Sequence, residues 1–316
     1  MVVIIIIIIN IIVGSSCLIY GVNMLSNGLE RINLQYIKKM LTRCTTNVIS
    51  SLLIGTIITA IVQSSTAVTV ITIGLVNTGV LGFSQAVGII YGANIGTTIT
   101  AQFMSFNIVD YFPVFILLGV ILWLIGNTRK QPVKHLGKAI AGFGIMLLGI
   151  KILNWSIPYI QKSTVVKSLF VKYGKNPYLG MIIGTIATAI VHSSSATVGL
   201  TIVLYNAGLI SSDAAIGLIL GDNIGTCFTS ILVSIGSSIP AKRTAWAHTL
   251  YNIIGSLLVL LFLTPFISIV NAFTSSLGQD STRFVANAHT IFNILSALAF
   301  LPFTKQYVNL IKWLIN

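Results

Sequence analysis

The segment GTIITAIVQSSTA (55–67) returns 129 positions later as GTIATAIVHSSSA (184–196), identical at ten of thirteen positions. At the same offset GANIGTT (92–98) returns as GDNIGTC (221–227), and Thr72, Ile73, Leu75, Asn77 and Gly79 return as Thr201, Ile202, Leu204, Asn206 and Gly208. Further upstream, IYGVNMLS (19–26) resembles LLGIKILN (147–154) with a one-residue slip. The chain is thus one unit used twice, over 10–105 and 138–234, and any fold it adopts must accommodate both copies.

The solvent for those copies is a lipid bilayer. Charged residues are 7% of the 316 and hydrophobic ones 55%, against about 25% charged in a soluble protein. Runs of roughly 20 apolar residues, enough to cross the hydrocarbon as helix, fall near 3–25, 84–105, 112–127, 136–157, 213–235, 243–265 and 284–302. Two longer runs, 48–78 and 177–208, are interrupted by polar clusters. Period-2 alternation is absent, which argues against a β-barrel. MVVIIIIIIN lacks a positive leader region, so it reads as a retained span rather than a cleaved signal. Cys17, Cys44 and Cys227 are scattered and odd in number, implying neither a disulfide framework nor a metal site.

Counting crossings sets the relation of the copies. Whether each interrupted segment returns to its own side or crosses fully, an odd number of crossings separates equivalent points, so the second copy is upside down. Inverted repeats are a transporter signature, with the substrate at their interface near the midplane. The expected fold is therefore an all-α polytopic membrane protein of two inverted-topology repeats, each with a re-entrant helical hairpin and a discontinuous helix. A connecting span and basic loop occupy 106–137, C-terminal spans 235–304, and a short amphipathic tail 305–316, all within a single transmembrane transport domain over 1–316. The formal charge of +13 sits mainly in loops: Arg31, Lys38, Lys39 and Arg43; Arg129, Lys130 and Lys134; Lys162, Lys167, Lys172 and Lys175. The positive-inside rule puts 26–47, 127–138, 236–243 and the C-terminus in the cytoplasm and the N-terminus outside, with the lysines of 158–177 running against it. Nothing else supports nucleic-acid binding.

Polar side chains in hydrocarbon are costly unless they face protein or water. Helix packing would explain one isolated Ser-Ser pair. A pair of such clusters in opposed copies points instead to a site. At a hairpin tip the second arm offers free N–H groups and the positive end of its dipole to an anion, and Ser and Thr hydroxyls extend the donor set. Two tips meeting from opposite faces would enclose a small tetrahedral oxyanion. Gln63 donates through its amide, and its counterpart His192 makes the second half pH-responsive. In GANIGTT and GDNIGTC the glycines would permit a locally unwound backbone, whose carbonyls with Asn and Thr suit Na⁺. Asp222, which replaces Ala93, is the intramembrane carboxylate expected to bind a cation. AHTLYN (247–252) and AHTIFN (288–293) each set His and Asn on one helix face, for hydrogen bonds between helices rather than for zinc. No P-loop, G-x-S-x-G or GxGxxG occurs, so the chain reads as neither an ATP-driven pump nor an enzyme.

In that order, the QSST/HSSS and GANIGTT/GDNIGTC pairs followed by AHTIFN resemble the type II sodium–phosphate cotransporters and their bacterial relatives. The resemblance spans nearly the whole chain. It implies sodium-coupled symport of inorganic phosphate by alternating access, with Na⁺ as coupling ion and no other cofactor or metal. It carries phosphate binding to Gln63, Ser64, Ser65, Thr66, Ser193, Ser194 and Ser195, with His192 in the second Gln position. Sodium binding is carried to Asn94, Thr97, Thr98, Asp222, Asn223 and Thr226. The partners implied are phosphate, sodium ions and the lipid of the plasma membrane, with homo-oligomerisation left open. His192 for Gln and Thr66 for Ser depart from the family pattern. A transport core without the cytoplasmic regulatory domain of many bacterial relatives is expected. Symport of another small oxyanion or carboxylate is the alternative, and a non-transporting scaffold or sensor is a more distant one.

Overall fold

In hydrocarbon every apolar run has to satisfy its own backbone N–H and C=O groups, and each of these runs does so as helix. The computed structural model describes residues 2–106, 108–129 and 131–316. The side chains of Val2, Asn33, Leu34, Thr128, Arg129, Val165, Lys167 and Val171 also lie outside the description, so the basic residues Arg129, Lys130 and Lys167 are not placed. Among the described residues there are helices and no strands. The first copy holds α1 (Val2–Arg43), α2 (Val48–Val62), α3 (Ser65–Asn77) and α4 (Phe83–Met104), and α5 (Phe112–Arg129) follows it. The second holds α6 (Gln131–Lys162), α7 (Thr164–Tyr173), α8 (Pro177–Val191), α9 (Ser194–Asn206) and α10 (Ser212–Ser234). The chain closes with α11 (Ile239–Leu261), α12 (Leu263–Ser276), α13 (Phe284–Phe300) and α14 (Thr304–Leu314).

Among the described residues six helical stretches are long and apolar enough to cross a membrane. The expected span 84–105 forms α4 in full, but its Gln, Asn, Thr and Tyr side chains keep it outside those six. The span expected at 243–265 lies four residues earlier, at the same length. Helix α11 stops at Leu261, and Pro265, which has no N–H to bond back to it, lies in the first turn of α12. The basic segment 158–177 is mostly helical: α6 runs on to Lys162, and Ser163 caps α7 by accepting the Val166 N–H at 3.4 Å. Lys151 is ion-paired with Asp110 rather than free at the membrane surface.

Glycine decides which helices touch. A Cβ on Gly21 would lie 2.2 Å from the Met146 nitrogen, on Gly149 2.4 Å from that of Leu18, and on Gly28 2.7 Å from the His135 carbonyl. Going up α1 through Gly14, Gly21 and Gly28 goes down α6 through Gly149, Gly142 and His135, so these two helices pack antiparallel at seven-residue steps. The pairing of α2 with α4 has the other sense. Gly88, Gly92 and Gly96 abut Val48, Leu52 and Thr56, three pairs each 40 positions apart, so α2 and α4 run parallel. Gly217, Gly221 and Gly225 against Pro177, Met181 and Thr185 repeat the arrangement in α8 and α10. Gly21→Leu is expected to destroy the α1–α6 contact, because the new side chain would have to displace backbone. Loss of the monodisperse peak in detergent gel filtration checks this.

Candidate functional site

Helix α2 ends because Gln63 turns left-handed (φ 58, ψ 28), and Ser64, extended at φ −148, opens α3 by accepting the Ala67 N–H at 3.2 Å. His192 (φ 55, ψ 26) ends α8 in the same way, and Ser193 (φ −146) opens α9 by accepting the Ala196 N–H at 3.4 Å. These are the two non-glycine residues with positive φ among those described. That conformation costs a non-glycine residue roughly 1–2 kcal/mol, and such strain gathers at functional sites.

Neighbouring hydroxyls hold both turns. Thr100 donates to Gln63 Oε1 at 2.7 Å, Gln63 Nε2 donates to the Ala60 carbonyl, and Ser26 donates to the Gln63 carbonyl at 2.9 Å. His192 Nδ1 lies 3.0 Å from Thr229 Oγ1. Thr100 and Thr229 are themselves 129 positions apart. His192 therefore makes the hydrogen bond that Gln63 makes, to the equivalent partner.

The breaks face each other. Gln63, Ser64, Ser65, Thr66, His192, Ser193, Ser194 and Ser195 all line one polar cavity of about 90 Å³. Pockets for drug-sized solutes run to about 300–1,000 Å³, so this one suits a small ion. The N-terminal ends of α3 and α9 open onto it with their free N–H groups. Its remaining wall carries residues that the sequence reading passed over: Asn23, Ser26, Asn27 and Glu30 of α1, spaced as one helix face. The signal was available, since polar residues at steps of three and four within an apolar span mark a face turned away from lipid.

The six residues assigned to sodium divide differently. The expected unwinding does not occur: α4 and α10 run unbroken through 92–98 and 221–227. The glycines serve close approach instead, a Cβ on Gly92 lying 2.0 Å from the Leu52 carbonyl and one on Gly221 2.1 Å from that of Met181. The backbone carbonyls there stay in helix, which leaves side chains as ligands. Thr97 lines the cavity between the tips. Asn94 donates to Asn252 Oδ1 at 2.8 Å, while Thr98, Asn223 and Thr226 bond carbonyls of their own helices. Asp222 is fully buried, and its Oδ1 accepts from Thr188 at 2.9 Å. Thr188 in turn lies 2.7 Å from Thr197, and Asp222 Oδ2 has no partner. The first copy has Ala93 and Val68 in place of Asp222 and Thr197. A buried carboxylate with a free oxygen and only hydroxyls for company calls for a cation or a proton.

AHTLYN ties the copies together. Asn252 accepts from Asn94 of α4 and donates to Cys227 of α10 at 3.2 Å, and His248 Nδ1 sits 2.9 Å from Ser230. AHTIFN does not repeat this role. Asn293 bonds the His289 carbonyl of its own helix, and both His289 ring nitrogens are buried without partners. Ser230 has become Ala101 in the first copy.

The sequence profile of the Na⁺/Pi-cotransporter family matches the chain twice, over 17–155 and 161–301. The chain belongs to that family. Each match contains one QSS/HSS tip and one GxNIGT helix, in a transporter family rather than an enzyme family. With its apolar helices, membership makes the chain a multi-pass membrane protein. YqeW of Bacillus subtilis, an uncharacterized protein, is 32% identical over 267 residues, 84% of this chain and 85% of YqeW. YjbB of Escherichia coli K12, whose name proposes inorganic phosphate export, is 28% identical over 245 residues, 78% of this chain and 45% of YjbB. Human sodium-dependent phosphate transport protein 2B is 33% identical over 91 residues, 28% of this chain and 13% of that protein. The family member described here therefore spans less than half of YjbB's length. No solved structure matches it.

Proposed function

We propose that this chain carries inorganic phosphate across the plasma membrane by alternating access, coupled to sodium, with phosphate held between the tips at 63–66 and 192–195. The observation that carries the reading is the meeting of both polar interruptions in a single small cavity. There the helix N-terminal N–H groups and the serine hydroxyls would complete the shell of a tetrahedral oxyanion. Sodium is assigned to the buried carboxylate of Asp222 and to the Asn and Thr side chains of the two GxNIGT helices, with Thr97 the member of that set on the phosphate cavity. Cation binding first would offset the charge of HPO₄²⁻ before it enters a low-dielectric site.

Two packing features support an inverted pair with re-entrant hairpins. The equivalent helices α1 and α6 lie antiparallel, and α2 runs parallel to α4 across α3, which brings the chain back between them. The distribution of Lys and Arg favours an outside N-terminus and a cytoplasmic C-terminus. Direction is a property of the gradients: a reversible carrier exports phosphate when the combined driving force points outward, which reconciles YjbB's name with those of the sodium-dependent transporters.

Radiolabelled phosphate flux in proteoliposomes tests the reading. An imposed Na⁺ gradient is expected to drive accumulation, and flux indifferent to that gradient would rule out coupling. Competition by sulfate, arsenate and succinate separates phosphate from other oxyanions and small carboxylates, while a scaffold or sensor would give no flux. His192→Gln reproduces the first copy's pairing with Thr229's equivalent, so it is expected to keep flux within about threefold of wild type. His192→Ala, which abandons the bond, should lose at least about tenfold.

A further inference from the structure

Beside the phosphate cavity lies a second groove of about 230 Å³ between α1 and α6, and the two share Asn23 and Asn27 in their walls. Past those asparagines the groove presents Arg31 and Lys138. Among the described residues the ion pair of Lys151 with Asp110 is the one salt bridge, so neither cation has a carboxylate partner. Two unpaired cations leading into an anion cavity form an electrostatic ramp. The guanidinium adds a fork matched to two phosphate oxygens.

The equivalent positions of the second copy lack the device. Extending the alignment of α1 with α6 at its offset of 128 sets Lys151 opposite Asn23, Trp155 opposite Asn27 and Tyr159 opposite Arg31. Lys138 corresponds to Asn10. At these equivalent positions the one lysine is neutralised by Asp110, and Trp155 and Tyr159 are exposed. Like the carboxylate of Asp222, the device belongs to one copy alone.

We infer that the Arg31–Lys138 groove is a one-sided receiving site for a phosphate-type oxyanion, which passes it to the tips by way of Asn23 and Asn27. The inference rests on the tips holding phosphate. It adds that the two faces of the carrier differ in apparent affinity, the face bearing residues 127–138 being the stronger. That face is the cytoplasmic one if the basic loops orient the chain, which would make the carrier suited to collecting phosphate for export.

The test is phosphate flux from each side of oriented proteoliposomes, with orientation read by a membrane-impermeant maleimide on the exposed Cys44. Arg31→Gln with Lys138→Gln is expected to raise KM about fivefold from the 127–138 side, to leave KM from the other side unchanged, and to keep the maximal rate within twofold. The shift should shrink at high ionic strength, and Arg31→Lys with Lys138→Arg should restore most of it. Arg31 is exposed, so Arg31→Glu alone gives a second variant that keeps the fold, with a larger shift of the same sidedness. An unchanged KM, an equal rise on both sides or a lost maximal rate would overturn the inference while leaving the tip site intact. A shift seen only in vesicles containing phosphatidylglycerol, and not in phosphatidylcholine alone, would assign the groove to a lipid headgroup and overturn it too. Wild-type protein that moves no phosphate from either side would remove the tip reading, and the groove's role with it.

Discussion

Ser65→Ala combined with Ser194→Ala should abolish measurable phosphate transport. Each hydroxyl lines the cavity, and neither is engaged in a hydrogen bond elsewhere among the described residues. Hydrogen bonds to a charged group contribute about 1.5–3 kcal/mol each, so losing one from each tip weakens binding by about 10²–10⁴-fold. The fold should survive, since alanine is a good helix former at the first positions of α3 and α9 and the caps Ser64 and Ser193 remain. The measurement is KM in proteoliposomes beside thermal stability in detergent. A double variant that is stable and still takes up phosphate with wild-type KM would place the substrate elsewhere, even with transport intact. The single variants should each show about half the loss in free energy if the two tips contribute independently to the proposed site.

Asp222→Asn should uncouple the carrier from sodium. The amide keeps the shape of the carboxylate and accepts the Thr188 hydroxyl as before, but it removes the charge that would hold a cation. The Na⁺ concentration for half-maximal transport is expected to rise at least about tenfold, since losing the charged member of a buried pair costs about 3–5 kcal/mol at the upper limit. A second readout has the opposite sign. In sodium-free buffer the wild type has a buried carboxylate with an unpartnered oxygen, so the asparagine variant should melt at a higher temperature than wild type there, and at a lower one in high sodium. Unchanged sodium dependence together with unchanged melting would remove Asp222 from the cation site.

Much of this was readable before any coordinate. The near-identity of 55–67 with 184–196 put all eight tip residues on one list, and they line one cavity because equivalent stretches fold alike: the same left-handed turn at Gln63 and His192, the same serine cap after it. What was misread has a physical cause. Glycine in GxNIGT is compatible with two opposite uses, a loosened backbone and a backbone pressed against its neighbour, and one sequence does not reveal which neighbour is there. Leu52 and Met181 carbonyls at about 2 Å from an imagined Cβ decide for the second. The α1 face of Asn23, Ser26, Asn27 and Glu30 escaped notice because each residue is unremarkable alone and their wall forms only when the two tips are brought to it. Thr188 and Thr197 were likewise invisible as companions of Asp222, being 34 and 25 positions away in the chain.

The glycine seams carry a mechanical consequence. Where backbone is pressed on backbone across a glycine, with nothing longer than the Cβ of a Ser or Thr beside it, little side chain is left to change rotamer, and the contact transmits displacement as a stiff joint does. Helix α2, which ends at the first tip, is locked in this way to α4, which carries Thr97; α8 and α10 are locked likewise behind the second tip. A small ion that shifts one member of such a pair must carry the other along. The unit of movement is then the helix pair rather than the hairpin, and compliance has to reside at the contacts that have no glycine seam, between the tips and the polar face of α1, a helix itself locked to α6. Load applied at the carboxylate of Asp222 would be felt at His192, the cap of α8, with little loss in between, so two solutes that never touch could still compete or cooperate through one rigid lever.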